Sequence, residues 1–459
     1  MTDGNGNTTQ YVYDARKRLV QTKNPDGTRV TNTYDRPGNL ASVTDQAGNV
    51  VQYTYDAANQ LRTVVQLSSP NTGNNTNTYG YDSDSNLISL SDANGHTTQN
   101  TWDLLYQLTA KTLPDGSLTE KRQYDTAGNL TSLTHFSGNT TTYTYDPLNR
   151  LLSRVSDPTL NEPTVSFTYT ATGQRATMTD ASGTTTYSYD SLDRLTQKAT
   201  PEGTLNYTYD IAGNLASMTS ADGAVSVSNT WDKLNRLSAV ADSRTGTTAY
   251  SYDGANNLVT ATYPNGLQST FQYDAMNRLK SMTASTAGYL YNLGPTGIKT
   301  GATELSRRTL SWSFDGIYRL TNEAVSNDPS KENGSVSYTL DPVGNRLGAS
   351  SSLNGINPGS FSFNADDQLS MESYDANGNV TATGGKTFRY DSENHLVSAN
   401  GGAVTVTYDG DGNRVAKTAN GSTTRYLRRR PEPDRLSAGG RGDRQRSSPA
   451  RVHLWAAED

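Results

Sequence analysis

The sequence contains no cysteine, so it excludes both a disulfide framework and thiolate metal ligands. It has only four histidines, and these are far apart and show no metal-binding pattern: His96, His135, His395 and His453. No run of about 18 apolar residues occurs, so no transmembrane helix is expected. The first residues, MTDGNGNTTQYVYD, lack the basic and apolar regions of a signal peptide.

Apolar residues are also scarce: they make up 33% of the chain, and the mean hydropathy is −0.72. Composition alone would favour disorder. However, the chain has 28 tyrosines at regular spacing, often beside threonine, and both residue types favour strands. We therefore expect an ordered but thin structure, one sheet layer deep over much of its area. The net charge of −6 disfavours a general nucleic-acid binder.

Aromatic–aspartate pairs recur along the chain, and many neighbouring pairs are 21 residues apart. Three such series are Tyr13, Tyr34 and Tyr55; Tyr124 and Tyr145; and Trp231, Tyr252 and Tyr273, each followed by Asp. A fixed period of this size indicates a repeat architecture. The other intervals, which range from 20 to 26 residues, are those that loops of different length would give.

Each repeat unit predicts one β-hairpin with two turns. In the T-x-Y-x-Y stretch residues alternate, so both rings lie on one strand face. The following Asp bonds its own backbone and opens a turn, and Gly128-Asn129 in YDTAGNL suits a tight turn with positive φ. A second turn closes the unit, as in Asp45–Gly48 or Asp180–Gly183. Because an isolated hairpin is marginal in water, we expect many copies to stack.

The turns alternate between a glycine-bearing spelling and a Leu/Met-Asn-Arg spelling. This alternation predicts a two-unit superrepeat, in which one class of turn is exposed and the other packs on a neighbour. Four arginines fall on the second class: Arg150, Arg194, Arg236 and Arg278. We expect these arginines either to stack on Tyr rings or to pair with repeat Asp residues. The alternative for each of them is a side chain that extends into solvent.

The repeat pattern divides the chain into three segments. Residues 1–285 form a regular array, and residues 286–426 carry divergent repeats that we expect to continue the same sheet. Residues 427–459 are an Arg-rich tail with eight arginines against five acidic residues, which makes its charge +3 and leaves −9 on the remainder. The tail is expected to be disordered. We hypothesise that it is read out of frame after Leu427; a basic tail for an anionic surface and an Arg441-Gly442-Asp443 adhesion motif are the alternatives.

The repeats YTYDPLNRL, YTYDIAGNL and YDGDGNRV resemble the YD repeats of bacterial Rhs proteins, which also occur in wall-associated toxins, insecticidal toxin-complex components and teneurins. The resemblance covers about residues 1–426. It implies an all-β fold, in which tandem β-hairpins form a spiralling, curved β-sheet that is part of a hollow shell. In that family the shell sequesters a variable C-terminal toxin or effector domain.

The sequence departs from the family pattern in three respects. It has no N-terminal secretion, PAAR-like or plug segment, no self-cleaving core and no recognisable toxin domain. Asp341-Pro342-Val343-Gly344 matches the letters of the core's DPxG element but lies in the register of an ordinary repeat turn. We therefore expect a truncated shell fragment. Its sheet should be open, with a long unpaired edge near Tyr408–Leu427 that favours self-association.

No constellation with catalytic chemistry was found. Stretches beginning at Asp82 and Asp409 resemble the start of a calcium loop but lack the required Gly and the bidentate Glu, so we interpret both as turns. We therefore predict no catalytic, metal or cofactor-binding residues and no enzyme activity.

The predicted function is containment of a C-terminal toxin, and this toxin domain, absent here, is the predicted partner. The alternative is a cell-surface adhesin or carbohydrate-binding module whose aromatic rings contact glycans. An enzyme with an unrecognised carboxylate pair is the least favoured reading. No nucleic-acid partner is expected. The resemblance implies that the full-length relative is secreted or on the cell surface.

Overall fold

The computed structural model describes residues 1–67, 74–356 and 358–427. The chain divides into two units, Met1–Leu427 and Arg428–Asp459. The predictions made for the tail, namely its disorder, its reading frame and its possible ligands, lie outside the described residues. In the described part no helix has the length and apolar content needed to cross a membrane.

The first unit is all-β, as predicted, and its described residues contain forty strands. The first thirty-three form one sheet: β1 (Gln10–Tyr13), β2 (Leu19–Lys23), β3 (Arg29–Tyr34), β4 (Leu40–Thr44), β5 (Val50–Tyr55), β6 (Leu61–Gln66), β7 (Asn75–Tyr81), β8 (Leu87–Ser91), β9 (Thr97–Trp102), β10 (Leu108–Thr112), β11 (Thr119–Tyr124), β12 (Leu130–Thr134), β13 (Thr140–Tyr145), β14 (Leu151–Val155), β15 (Val165–Tyr169), β16 (Arg175–Asp180), β17 (Gly183–Tyr189), β18 (Leu195–Thr200), β19 (Gly203–Tyr209), β20 (Leu215–Ser220), β21 (Ser226–Trp231), β22 (Leu237–Asp242), β23 (Gly246–Tyr252), β24 (Leu258–Thr262), β25 (Gln268–Tyr273), β26 (Leu279–Thr283), β27 (Gly288–Leu293), β28 (Lys299–Glu304), β29 (Thr309–Phe314), β30 (Leu320–Ser326), β31 (Gly334–Leu340), β32 (Arg346–Ser351) and β33 (Gly359–Ser360).

The remaining seven strands form a second sheet: β34 (Ser373–Tyr374), β35 (Val380–Thr383), β36 (Lys386–Tyr390), β37 (Leu396–Ala399), β38 (Val404–Tyr408), β39 (Arg414–Ala419) and β40 (Ser422–Arg425).

Each strand pairs antiparallel with the next strand along the chain, so the fold is a succession of hairpins. The ladder is interrupted once, between Ser360 and Ser373, where Phe363 and Leu369 form an isolated bridge. Residues 286–426, expected to continue one sheet, are therefore divided between the two sheets. Two short 3-10 segments, Pro158–Leu160 and Asn400–Gly402, interrupt the strands, and the described residues contain no α-helix.

The turn after each aromatic–Asp pair, here called the YD turn, is built by its aspartate. In the turn Asp146–Arg150, the Oδ1 of Asp146 accepts the backbone N–H groups of Leu148 and Arg150 at 2.9 and 3.0 Å. The fourth position of the turn has positive φ, as in Asn149 (61°) and Gly128 (87°). Glycine and asparagine adopt this conformation more readily than other residues, which explains why they recur there.

The turns at the other end of the strands are here called return turns. No β-bulge lies beside a return turn, in contrast to a YD turn. Each YD hairpin carries a β-bulge beside its turn: Tyr145 faces Leu151 while Thr144 faces Ser153. The hairpins closed by return turns, such as β12–β13, keep an unbroken register. Since bulges bend and twist strands, a bulge repeated at one end of successive hairpins bends the sheet consistently.

The repeat tyrosines join neighbouring hairpins. The hydroxyl of Tyr145 donates to the backbone carbonyl of Leu130 at 3.0 Å, and Trp231 Nε1 donates to that of Leu215 at 3.0 Å. A bond to a leucine carbonyl recurs at Tyr34, Tyr55, Trp102, Tyr124, Tyr169, Tyr209, Tyr252 and Tyr408. Tyr189 makes the equivalent bond to the carbonyl of Arg175. Both rings of the T-x-Y-x-Y stretch lie on one half-buried face, as predicted, because Thr144 between Tyr143 and Tyr145 is exposed.

The two spellings of the YD turn share one backbone conformation and similar exposure, so the predicted division into an exposed and a packed class is wrong. They differ in how each turn contacts the next. Arg150 pairs with Asp146 at 2.6 Å and stacks 4.7 Å from the Tyr169 ring, and its guanidinium passes over Gly173 of the next turn. A glycine-bearing turn instead sends its Asn forward, so that Asn129 donates to Asn149 Oδ1 at 2.9 Å. The arginine also reaches an asparagine in the next turn, as Arg236 does when it donates to Asn256 Oδ1 at 2.9 Å.

Arg194 and Arg236 repeat the behaviour of Arg150, over Tyr209 and Tyr252, which confirms the predicted stacking and pairing. Arg278 pairs with Asp274, but the next repeat carries Leu293 and Gly294 where the others carry Tyr and Asp. From the sequence alone, Tyr291-Asn292 would be predicted as this repeat's aromatic–Asp pair, with Asn in place of Asp. That prediction is wrong by two residues, because Tyr291 and Asn292 belong to the strand and Gly294 begins the turn.

The predicted open edge is present but short. Among the described strands, β40 pairs only with β39, and its four residues are exposed. Just beyond it, Arg425 lies 3.7 Å from Glu202, and Leu427 contacts Gly203. The self-association expected of this edge stays a prediction.

Candidate functional site: the seam between successive coils

The sheet returns on itself, so residues far apart in sequence meet at its edges. YD turns from Asp253 onward contact connections at the opposite ends of earlier hairpins, between Asp3 and Asp180, through hydrogen bonds between residues separated by 230 to 274 positions. One circuit of the sheet, here called a coil, therefore takes about 250 residues. The row of turn-to-turn contacts between the two coils is called the seam. It is the feature that converts a ribbon of hairpins into a continuous wall.

At its start the seam consists of side-chain amides and carboxylates. Asn5 donates to Asp253 at 2.9 Å, and Arg278 pairs with Asp26 at 3.1 Å. Tyr318 then contacts Asp45, and Asn94 donates to Asp341 at 2.9 Å. Each of these contacts joins one return turn to one YD turn, so the two rows are in register over this part of the seam.

Further along, the seam becomes more buried and more charged. Ser392 is bound by Glu162, whose carboxylate accepts its backbone N–H at 2.9 Å and its hydroxyl at 2.6 Å. Arg154 pairs with Glu393 at 2.5 Å. Ser392 is only 7% exposed, so its polar atoms depend on these partners rather than on water.

The last part of the seam adjoins the main apolar cluster. Gly410 N donates to Asp180 at 2.6 Å, and Arg175 pairs with Asp411 at 2.7 Å. Directly beneath lie Val165, Phe167, Met178 and Tyr187, with Met178 fully buried. Burial is thus greatest where the second coil covers the first.

Steric fit requires small residues at the second position of the seam's YD turns. A Cβ on Gly410 would lie 2.6 Å from Val165 Cγ1, and a Cβ on Gly254 would lie 2.5 Å from the carbonyl oxygen of Gly4. Since real Cβ atoms do not approach so closely, the backbones of the two coils meet at distances that only glycine permits at these two places.

The charged groups of the seam respond to burial in opposite ways. Burial opposes the charge of Arg175, but Asp411 and Tyr187 outweigh it and raise the pKa of the guanidinium. For Glu393, burial dominates and raises the pKa of the carboxyl, although Arg154 and His395 favour its charged form. The Glu393 carboxyl therefore binds a proton more readily than an exposed glutamate does.

One cluster on the seam has the composition of a cation site. Ligand atoms of Asp92, His96 and Asp367 lie within 4.8 Å of one another. His96 Nδ1 lies 3.7 Å from the Asp92 carboxylate and makes no hydrogen bond. Asp367 is exposed and already accepts from Asn345 at 2.7 Å. These are the described residues best placed to hold a metal ion. The hydrogen bond from Asn345 to Asp367 also joins two successive YD turns.

The residues considered as sites from the sequence occupy turn positions. Asp82 accepts the N–H groups of Asp84 and Asn86 at 2.9 Å, and Asp409 accepts from Asp411 and Asn413, so both loops are YD turns as interpreted. Asp341–Gly344 is likewise a turn, with Gly344 N bonded to Asp341 O at 3.2 Å. The prediction of no catalytic or cofactor residues stays a prediction.

Sequence reasoning missed the seam and the pairing of Asp92 and His96 with Asp367. One signal for the seam exists in the sequence: the residue after the first turn position is small in each YD turn from Asp253 onward. These residues are Gly254, Ala275, Pro295, Gly316, Pro342, Ala365, Ala376, Ser392 and Gly410. Some earlier turns carry a large residue at the same position (Arg36, Leu104, Ile211 and Lys233), but others carry a small one, as at Ala15, Ala57, Ser83 and Ala171, so a small residue there does not by itself mark a seam turn.

Two family models match the chain. The RHS Repeat model matches residues 1–29, 34–73, 81–118 and 124–159, and the Teneurin YD-shell model matches residues 157–296. Together they extend from the first hairpins into the second coil. The matched repeats are structural elements, in keeping with the hydrogen-bonding roles of their Tyr and Asp residues.

Among curated proteins, the chain is similar to the tRNA3(Ser)-specific nuclease WapA of Bacillus spizizenii, with 29% identity over 212 residues, covering 43% of this chain and 9% of that protein. It is also similar to the tRNA nuclease WapA of Bacillus subtilis strain 168, with 35% identity over 103 residues, covering 20% of this chain and 4% of that protein. The matched region thus spans less than a tenth of either relative.

Among solved structures, the fold is similar to the crystal structure of TcdB2-TccC3 without its hypervariable C-terminal region. The TM-score is 0.77 at 15% identity, and the match covers 89% of this chain and 26% of that one. The likeness extends over nearly all described hairpins, and at this identity it concerns the fold. The repeat models, which together match more than half of the chain, and the WapA relatives identify the chain as a member of the Rhs family of YD-repeat proteins.

Proposed function

We propose that the chain is a non-enzymatic part of the wall of a hollow shell that encloses a C-terminal toxin or effector domain. The observation that carries this proposal is the seam, because a shell retains its contents only if successive coils are joined. The contacts from Asn5–Asp253 to Arg175–Asp411 join them throughout the first unit. The similarity to WapA and to TcdB2-TccC3 supports the same assignment.

The assignment of a structural role rests on what the repeat residues already do. The tyrosine hydroxyls are used in bonds to leucine carbonyls, as between Tyr145 and Leu130, and the turn aspartates are used in bonds to backbone N–H groups. Because these hydroxyl and carboxylate groups are engaged in structural hydrogen bonds, they are poorly available as catalytic groups. They also disfavour the adhesin alternative, because rings that contact glycans must be free to do so.

A cargo-protection experiment tests the proposal. A small protease-sensitive reporter domain is fused after Asp459, and its cleavage rate is measured in the intact chain and in a variant with Arg175→Met and Asp411→Asn. Containment predicts slower cleavage in the intact chain than in the seam variant. Equal rates in the two chains, with both folded by circular dichroism, would contradict it.

Two further measurements separate the alternatives. Incubation with tRNA should yield no cleavage, and selective binding to glycans on an array should be absent. Reproducible tRNA cleavage abolished by a single Asp→Asn change would establish an enzyme instead. Selective glycan binding lost on substitution of an exposed aromatic residue such as Tyr106 would favour the adhesin. A shell of this kind belongs to a secreted or cell-surface protein.

A further inference from the structure

A return turn of the first coil and a YD turn of the second bring oxygen and nitrogen atoms together on the seam. Asp92 and His96 are the first and last residues of the return turn, and Asp367 is the fourth residue of the YD turn that begins at Asn364. One ligand atom from each of the three side chains lies within 4.8 Å of the other two. Because the two turns belong to different coils, this set of ligands is assembled by the closed seam.

The Asp92–His96 pair has the spacing of two ligands on one ion and is too wide for a hydrogen bond. His96 Nδ1 lies 3.7 Å from Asp92 Oδ2, is shielded from solvent and has no hydrogen-bond partner. Two atoms bound tetrahedrally at about 2.1 Å from a zinc ion are about 3.4 Å apart. The turn from Asp391 to His395 has the same residues at its first and last positions, and there the two side chains form an ordinary hydrogen bond of 3.0 Å. The wide separation at His96 is therefore not imposed by the turn itself.

Asp367 is positioned by the seam contacts around it. Asn94, within the return turn, donates to the Asp341 carboxylate at 2.9 Å. Asn345 donates to that same carboxylate at 2.9 Å and to Asp367 at 2.7 Å. Since the last bond is accepted by Oδ1 of Asp367, an ion can bind its Oδ2. Neutral amide donors of this kind orient a ligating carboxylate and leave its charge in place.

Further carboxylates make the site strongly negative. Asp366, next to Asp367, interacts electrostatically with His96 and with Asp115 of the following return turn. The Oδ1 atom of Asp366 is shielded from solvent and has no hydrogen-bond partner. A buried polar atom without a partner indicates a bound water or ion, and a divalent cation would also relieve the repulsion between the neighbouring carboxylates.

The ligand chemistry indicates zinc or a first-row divalent metal of similar preference. Calcium and magnesium favour sites made of oxygen alone, whereas an imidazole nitrogen with carboxylate oxygens suits zinc and its neighbours. Three protein ligands leave a fourth position for water. The side chains of Asp92 and His96 are 27% and 29% exposed, which gives the ion and its water access to the site.

We propose that Asp92, His96 and Asp367 bind one zinc-type divalent ion that links the two coils across the seam. The ion takes two ligands from a return turn of the first coil and one from a YD turn of the second. Because these ligands come together only when the coils are joined, ion binding stabilises the closed seam. The site goes beyond containment, and it replaces the expectation, based on the spacing of the histidines, that the chain has no metal ligand.

Calorimetric titration of the chelator-treated chain with zinc chloride tests the proposal. One ion should bind per chain with micromolar or tighter affinity, and it should raise the thermal midpoint. The variants His96→Asn and Asp367→Asn should each weaken binding by about tenfold or more, because each removes one of three ligands. Asparagine already occupies the same turn positions at Asn49 and Asn149, so both variants keep their turns.

His395→Asn is the matched control, because it removes a histidine from an equivalent turn outside the cluster and should leave zinc affinity unchanged. Circular dichroism verifies that each chain is folded. A chain that binds no zinc, or that binds it equally well in the His96→Asn and Asp367→Asn variants, would overturn the proposal. So would zinc binding that His395→Asn weakens to the same extent, or calcium binding tighter than zinc binding. The other seam contacts are kept in these variants, so a negative result leaves the containment proposal standing.

Discussion

Arg175 and Asp411 form an ion pair of 2.7 Å although 236 residues separate them in the chain. Arg175 begins a strand of the first coil, and Asp411 lies in a YD turn of the second, so the pair crosses the seam. It also covers the edge of the apolar cluster, where the Arg175 guanidinium lies 4.7 Å from the Phe167 ring. The pair therefore joins the two coils at the place where burial is greatest.

Removing one member of this pair should destabilise the protein. Both side chains are 21% exposed, and a hydrogen bond to a charged group contributes about 1.5–3 kcal/mol at such a site. We expect Arg175→Met to lower the free energy of unfolding in urea by that amount. The control Arg244→Met breaks the Arg244–Asp242 pair, whose arginine is 60% exposed, and should change the free energy of unfolding much less than Arg175→Met does. Equal losses in the two variants would contradict a special role for the seam.

The repeat tyrosines should contribute through their hydroxyl groups. Tyr145→Phe removes the donor to the Leu130 carbonyl and leaves that half-buried oxygen without this partner. The expected loss is about 1 kcal/mol, measured by chemical denaturation. Tyr13→Phe, at a tyrosine of the first strand that is 58% exposed, serves as the control and should change stability little. The account of the repeat fails if the two substitutions have the same effect.

Gly410→Ala should disturb the seam by steric conflict. The new methyl group would lie 2.6 Å from Val165 Cγ1 and 3.0 Å from Met178 Sδ, both in the apolar cluster. Overpacking of this kind costs about 1–3 kcal/mol. Gly348→Ala is the matched control, because its nearest neighbour, the Gly359 oxygen, would be at an ordinary 3.7 Å. A Gly410→Ala protein as stable as the parent would show that the coils can separate there at no cost.

Glu393 should give the seam a measurable pH dependence. Burial raises the pKa of its carboxyl above the usual value, so the folded state binds the proton more tightly than the unfolded state. The resulting stability is fully present below the unfolded-state pKa of about 4.3 and is lost as the pH rises through the raised pKa. Relative to Glu393→Gln, the parent protein should therefore gain stability between pH 7 and pH 4. A relative loss over that range would refute this assignment.

Most of the local structure could be predicted from the sequence because its causes are local. The 21-residue period, the alternation around Tyr143 and Tyr145 and the turn chemistry of Asp146 each depend on residues within one hairpin. The relation between the two turn spellings was misjudged, because Arg150 is explained by its contacts with Tyr169 and Gly173 in the next hairpin. Periodicity indicates that a side chain recurs, and it does not indicate which neighbour the side chain contacts.

The seam could not be predicted because its register depends on the summed curvature of about twelve hairpins per coil, at one hairpin per 21-residue period. No local pattern encodes the meeting of Arg175 with Asp411 or of Asp92 with Asp367. Small residues follow the first position of the later YD turns, as at Gly254 and Gly410, where the two coils approach closely. Their meaning is evident only once the opposing return turns are known.

The most direct test of the seam uses the absence of cysteine from the chain. The hydroxyl oxygens of Ser156 and Ser392 lie 2.9 Å apart across the seam, 236 residues apart in sequence. Ser156→Cys combined with Ser392→Cys should form an intramolecular disulfide on mild oxidation, detected by faster migration in a non-reducing denaturing gel and by loss of both free thiols. Ser156→Cys combined with Ser137→Cys, two seam positions with different partners, should keep its thiols. Two free thiols in the Ser156–Ser392 variant, or a disulfide formed only between chains, would contradict the closed seam.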